Sequence, residues 1–143
     1  MLIVTVLRAK GDFVATVPPT ATVRELLDTL AEHRIGAVVV SSGDAIAGIV
    51  SERDVVRHLR AAGGELLDRP VSTIMTTDVV TCRGDAAVDD LLATMTDRRI
   101  RHVPVVGDDG ALVGIVSIGD LVKLRILELE SERDDLVGYI GTR

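Results

Sequence analysis

Two short stretches carry residue types at a spacing that could do chemistry: GIVSERD at 48–54 and GIVSIGD at 114–120. In each, a serine stands three residues ahead of an aspartate and directly after Gly-Ile-Val. If the serine opens a helix, the free N–H groups and the dipole at that end attract anions and suit a phosphate. The hydroxyls of Ser51 and Ser117 can then contact a phosphate or a sugar oxygen. Asp54 and Asp120, one turn in, each offer two acceptor oxygens to a ribose diol. Gly48 and Gly114 lack side chains, so a ligand could approach those strands closely. The same spacing is also a capping-box helix start that needs no ligand. Two copies at equivalent positions favour a duplicated binding site, with the caps formed in either case.

These turns belong to a duplication that runs through the chain. Asp54 and Asp120 lie 66 residues apart, and TVRELLDTLAEHRIGAVVV at 22–40 returns as AVDDLLATMTDRRIRHVPV at 87–105, offset by 65. Each copy reads as a short β-rich piece (Val14 to Val17, Val79 to Cys82) followed by a helix with one apolar face. The apolar positions are Val23, Leu26, Leu27 and Leu30 in the first copy and Val88, Leu91, Leu92 and Met95 in the second. AVVVSSGDAIAGIV and HVPVVGDDGALVGIV each place two apolar runs around a Gly/Asp turn and predict a hairpin. A second helix follows, from Ser51 to about Ala61 and from Ser117 onward through ELESERDD. Residues 2–10 predict a short leading helix mirrored by VSTIM at 71–75. The expected division is a first copy with its leading helix at 1–64, a connector at 65–74, a second copy at 75–127 and an amphipathic tail at 128–143. That tail, with Leu136, Val137 and Tyr139, packs either on a partner subunit or back on its own module.

Bulk properties narrow the partners. The 143 residues are 47% hydrophobic but 1% aromatic, with a net charge of −6, so the core is aliphatic, no stacking platform is on offer to nucleic acid and the net charge repels a phosphate backbone. The segment MLIVTVLRAK has no basic stretch ahead of its apolar run, no run is long enough for a membrane span, and one cysteine cannot form an internal disulfide. A cytoplasmic protein is expected. Cys82 reads as a small buried thiol rather than a nucleophile. His33, His58 and His102 lack a metal-ligand spacing, Asp89-Asp90 reads as a solvated helix face, and no phosphate-loop or nucleophile-elbow motif occurs. No catalytic set and no metal site is expected.

The Gly-h-Ser-x-x-Asp elements, MTTDVVT at 75–81 and RHVPVV at 101–106 together resemble paired cystathionine-β-synthase (CBS) domains over nearly the whole chain. The resemblance implies an α/β (α+β) fold of two β-α-β-β-α repeats packed sheet to sheet around a pseudo-twofold axis, with two clefts that bind AMP, ADP, ATP, or in some relatives NAD or S-adenosylmethionine. By position, Ser51 and Asp54 would serve one cleft, Ser117 and Asp120 the other, with the aspartates on ribose. Adenine would meet backbone near Ala15 and Thr16 in one cleft and near Val80 and Thr81 in the other. An aliphatic slot suits adenine without aromatics. Pro104, inside RHVPVV, joins the candidate set. The copies differ in cations, since Arg101 and His102 stand where the first copy has Gly36 and Ala37, and Arg53 stands where the second has Gly119. Arg53, Arg101 and His102 are therefore the candidate phosphate ligands, although an arginine is commonly a solvated surface charge. Unequal cations imply clefts of unequal affinity.

The expected function is a non-enzymatic adenine-nucleotide sensor acting as a homodimer, its output a change in dimer geometry or in contact with a separate partner. The alternative is a purely structural dimerisation or interaction module whose clefts hold no ligand. A third reading, an enzyme acting on the bound nucleotide, lacks a base, a nucleophile and a metal site.

Overall fold

The computed structural model describes residues 1–141. The chain folds as helix α1 (Ile3–Lys10), strand β1 (Thr16–Val17), α2 (Val23–His33), β2 (Ala37–Ser42), β3 (Ala45–Ser51) and α3 (Glu52–Ala62). Two 3₁₀ segments, Gly63–Asp68 and Val71–Thr73, lead to β4 (Cys82–Arg83), α4 (Val88–Arg98), β5 (His102–Val106), β6 (Leu112–Ser117) and α5 (Ile118–Gly141). Each half is a three-stranded sheet in the order β1-β2-β3 or β4-β5-β6, with the first pair parallel and the second an antiparallel hairpin. The expected element order stands. The opening strands are shorter than the β-rich pieces suggested, two residues each, because Thr16 and Val17 pair only with Val39 and Val40, and Cys82 and Arg83 only with Val105 and Val106.

The helical periodicity placed the cores correctly. Val23, Leu26 and Leu30 of α2 are buried in the first half, and Val88, Leu91 and Met95 of α4 in the second. Leu27 and Leu92, one position round each helix, are only partly buried. α2 opens with a full capping box: Glu25 N donates to Thr22 Oγ1 at 3.1 Å and Thr22 N to Glu25 Oε2 at 3.3 Å.

Each core is closed by a segment from outside its own repeat. α1 precedes the first repeat, yet Ile3 and Val6 are fully buried among Val88, Met95, Val103 and Leu121 of the second. Backbone bonds fix it there: Ile3 N donates to Ala86 O at 2.9 Å, and Val4 N to Gly84 O at 2.8 Å. The mirrored stretch does the converse. Leu66, Val71 and Ile74 are buried in the first core, and Val71 N donates to Ala21 O at 2.7 Å. Helix α1 and VSTIM thus occupy equivalent places, although the second forms a single 3₁₀ turn, opened by Pro70.

This packing explains both motif glycines differently from the open approach to a ligand expected of them. A Cβ on Gly48 would fall 2.8 Å from both Met75 Sδ and Thr76 O; one on Gly114 would fall 2.6 Å from Leu7 Cδ2. Protein fills the space over each strand, and the glycines admit a neighbouring segment rather than a ligand.

Candidate functional site

The two Ser-x-x-Asp turns form as helix starts. In the first, Asp54 Oδ2 accepts hydrogen bonds from Ser51 N at 2.8 Å and from the Ser51 hydroxyl at 3.2 Å. In the second, Asp120 Oδ2 accepts from Ser117 N at 2.9 Å, and Asp120 N donates back to Ser117 Oγ at 3.1 Å. The capping role is therefore real in both. It leaves each aspartate its second oxygen, and both carboxylates line cavities.

Each cavity is assembled from both halves. The larger, about 540 Å³, takes Ser51 and Asp54 from the start of α3, Thr76, Asp78, Val79 and Val80 from the approach to β4, and the turn from α4 into β5. The smaller, about 350 Å³, takes Ser117 and Asp120 from the start of α5, Val14 and Ala15 from the approach to β1, and the turn from α2 into β2. The aspartate of one repeat is thus joined by the strand-leading backbone of the other, which is the reciprocity of a pseudo-twofold arrangement. Both volumes fall within the range of small-molecule sites.

Of the candidate residues, the larger cleft collects Ser51, Arg53, Asp54, Val80, Arg101 and His102. The smaller collects Ala15, Ser117, Asp120 and, again, His102. Thr16 and Thr81 are exposed beside these linings but belong to neither, and Pro104 is buried in the middle of β5 opposite Ile115. His102 stands between the clefts, close enough to Gly36 that a Cβ there would lie 3.4 Å from its ring. Burial lowers the His102 pKa, with Lys10 and Arg101 adding to that direction and Glu52 and Asp120 opposing it. A neutral imidazole is the favoured form.

Charge separates the clefts. Arg53, Arg57, Arg98, Arg99 and Arg101 all line the larger one, and among the described residues none of the five forms an ion pair. Asp54 likewise has no cationic partner among them. Five unpaired guanidinium groups beside the carboxylates of Glu52, Asp54 and Asp78 leave this cleft locally cationic on a chain of net charge −6. Arg57, Arg98 and Arg99 escaped the sequence reading; the signal for two of them was the run DRRIRH at 97–102. Arg99 ends α4 with φ 55°, and Arg34, its counterpart after α2, with φ 53°. A left-handed arginine costs on the order of 1 kcal/mol where glycine would sit without strain, and both positions line a cleft.

The smaller cleft has Arg34, His102 and Lys10. Lys10 Nζ reaches Asp120 Oδ2 at 2.6 Å and Ile115 O at 2.9 Å. Burial alone would raise the Asp120 carboxyl, but the Lys10 hydrogen bond and charge, together with the Ser117 donors, outweigh it and hold the carboxyl below its ordinary value. Burial also pushes the Cys82 thiol up to about 11, which leaves it protonated and a poor nucleophile at neutral pH. Among the described residues no group of three or more His, Cys, Asp or Glu is placed to hold a metal, and no helix is long and apolar enough to cross a membrane.

Two repeated α+β halves, enclosing a pair of clefts between them, define a tandem-repeat module. The chain belongs to the CBS domain family, whose model matches residues 11–61 and 71–126. It is similar to a 17.7 kDa protein of Acidianus ambivalens (39% identity over 111 residues, 77% of this chain) and to the mitochondrial CBS domain-containing protein CBSX3 of Arabidopsis thaliana (38% over 124 residues, 83% of this chain). The chain spans 66% and 60% of the length of those two relatives. Among solved structures it resembles the CBS-domain protein ATU1752 of Agrobacterium tumefaciens, with a TM-score of 0.85 and 42% identity over 87% of this chain and 99% of that one. Pyrobaculum aerophilum PAE2072, solved with AMP, superposes with a TM-score of 0.78 and 32% identity over 92% and 99% of the two chains. The CBS pair of MJ0100, solved with 5′-methylthioadenosine and S-adenosyl-L-methionine, gives 0.79 and 25% over 90% and 98%.

Proposed function

We propose that this chain is a regulatory module that binds an adenine nucleotide (AMP, ADP, ATP or NAD) in the cleft of Asp54. The carrying observation is the coincidence, in one cavity of about 540 Å³, of five unpaired arginines with a carboxylate that has a free oxygen. Asp54 accepts the ribose diol. The α3 N-terminus and Arg53, Arg57, Arg98, Arg99 and Arg101 receive the phosphates, and adenine lies toward Val79 and Val80. The AMP bound to PAE2072 and the adenosine-derived ligands of MJ0100 support this ligand class.

A cleft built from both repeats gives a ligand the means to change how they sit together. The output has a surface to act on. Val122, Ile126, Leu129, Leu136 and Ile140 are between 42% and 68% exposed along α5 and repeat at three- and four-residue steps, with Arg133 completing the series. Such a seam suits the same seam on a second copy, as in a coiled coil.

Calorimetric titration of the full chain with AMP, ADP, ATP and NAD tests the reading. Asp54→Ala is expected to weaken AMP at least about tenfold. Asp54→Asn, which keeps an acceptor for the cap, should weaken it comparably while retaining wild-type helix content. Sedimentation of the same samples with and without AMP reports whether the dimer responds. No heat with any of the four nucleotides would leave the structural interaction module as the surviving account.

A further inference from the structure

Resting on that reading, we infer that Lys10 closes the second cleft to nucleosides, so that the duplicated motif yields one nucleotide site per chain rather than two. Helix α1 is held on the second repeat by the buried Ile3 and Val6 and by Leu7, which fills the space over Gly114. This seats Lys10, in the last turn of the helix, at the smaller cleft. Its ammonium is fixed by two acceptors, Asp120 Oδ2 at 2.6 Å and Ile115 O at 2.9 Å, and is 29% exposed. A ribose diol arriving at Asp120 meets a carboxylate already holding a cation and the Ser117 N–H. To bind through both hydroxyls it must displace the doubly held ammonium and trade an ion pair for bonds from uncharged donors, or else use Oδ1 alone on a carboxylate whose charge Lys10 already neutralises; either way it gains less than at Asp54.

The first repeat has no such device. The segment equivalent to α1 there runs through Val71–Thr73 into Met75 and Thr76, which cover Gly48 with a thioether and a backbone carbonyl and bring no cation to Asp54. Nor does the smaller cleft compensate elsewhere, since with Lys10 engaged only Arg34 remains as a permanent positive charge for a phosphate. Lys10 is therefore the residue that determines which cleft takes the nucleotide.

The test is stoichiometry by titration calorimetry with AMP on the full chain. Wild type is expected to bind one AMP per chain, and Lys10→Met, which keeps the apolar stem without the charge, two. In the Asp54→Ala background, where the first cleft is disabled, Lys10→Met should bind AMP at least about tenfold more tightly than the protein that retains Lys10. Adding Asp120→Ala to Lys10→Met should return the count to one. Lys10→Gln provides a second neutral variant, so a folding defect in either does not decide the result. Two AMP per wild-type chain, or an unchanged count in both neutral variants with Asp54 still required, overturns the closure and leaves the nucleotide reading standing. Loss of a site on neutralising Lys10 shows the lysine holding the ligand and also overturns it. Absence of AMP binding in every protein removes the nucleotide reading, and the closure with it.

Discussion

The two clefts start from the same turn and end in opposite electrostatic states. At Asp54 a carboxylate without a cationic partner faces five unpaired arginines; at Asp120 a lysine from a helix outside the repeat holds the carboxylate at 2.6 Å. Gly-Ile-Val-Ser-x-x-Asp supplies the cap and the acceptor in both. Apart from Arg53, which fills a variable position of the motif where the second copy has Gly119, what makes one cleft arginine-rich and the other a self-satisfied pair comes from residues outside it. A duplicated signature thus specifies a duplicated backbone, while the chemistry of each copy is set by what the fold carries up to it.

The largest effect that would break this contrast is removal of the arginines. Arg98, Arg99 and Arg101 are exposed, so their joint replacement by alanine should leave the melting temperature close to wild type. AMP affinity should nevertheless fall by about 100-fold or more, each charge-assisted contact being worth about 1.5–3 kcal/mol. Arg34→Ala, the matching change in the other cleft, should leave calorimetric AMP affinity unchanged. Equal losses from both would mean that the clefts are not distinct.

The motif glycines extend the comparison to packing. Alanine at Gly48 drives a methyl to 2.8 Å from Thr76 O, a backbone atom pinned by Ile49 N at 3.0 Å in an isolated bridge. Alanine at Gly114 meets Leu7 Cδ2, the free end of a side chain that can turn away. Gly48→Ala is expected to destabilise by roughly 1–3 kcal/mol and Gly114→Ala by about 1 kcal/mol or less, read from chemical denaturation. The reverse order would show that α1 is the more rigid of the two covering segments.

What could be read from the chain and what could not divides along the same line. The helix faces of Val23, Leu26 and Leu30 and of Val88, Leu91 and Met95, the hairpins and the paired caps all follow from local periodicity and spacing. The arginine cluster was only half visible. Comparing the copies for differences singled out Arg53 and Arg101, but Arg99 has an arginine as its own counterpart and Arg57 a lysine, so neither stood out. Lys10 gave no local signal, because it meets Asp120 across 110 residues through the packing of α1 on the repeat that does not follow it in sequence. Gly48 and Gly114 misled for the same reason: absence of a side chain announces a close approach without saying of what.

The smallest effect separates the clefts by pH. The folded-state pKa of Asp120 lies below its ordinary value of 3.8, so folding favours the carboxylate. Its contribution to stability is complete above about pH 3.8 and disappears as pH falls through the lower, folded value, where the native carboxyl takes up its proton. Because the pair is 29% and 27% exposed, the increment is about 1 kcal/mol or less. His102 acts in a higher window. Its pKa is lowered from 6.5, so its neutral form is favoured in the fold, and stability declines as pH drops below 6.5 toward the folded value. Thermal melts of wild type and Lys10→Met at neutral pH and near pH 3 should therefore show a smaller acid-induced loss in the variant. The step just below pH 6.5 should persist in both, since burial rather than Lys10 is its main cause. Identical losses near pH 3 would mean that the Ser117 donors alone hold the Asp120 proton off, and that the ion pair distinguishing this cleft from its twin carries no free energy.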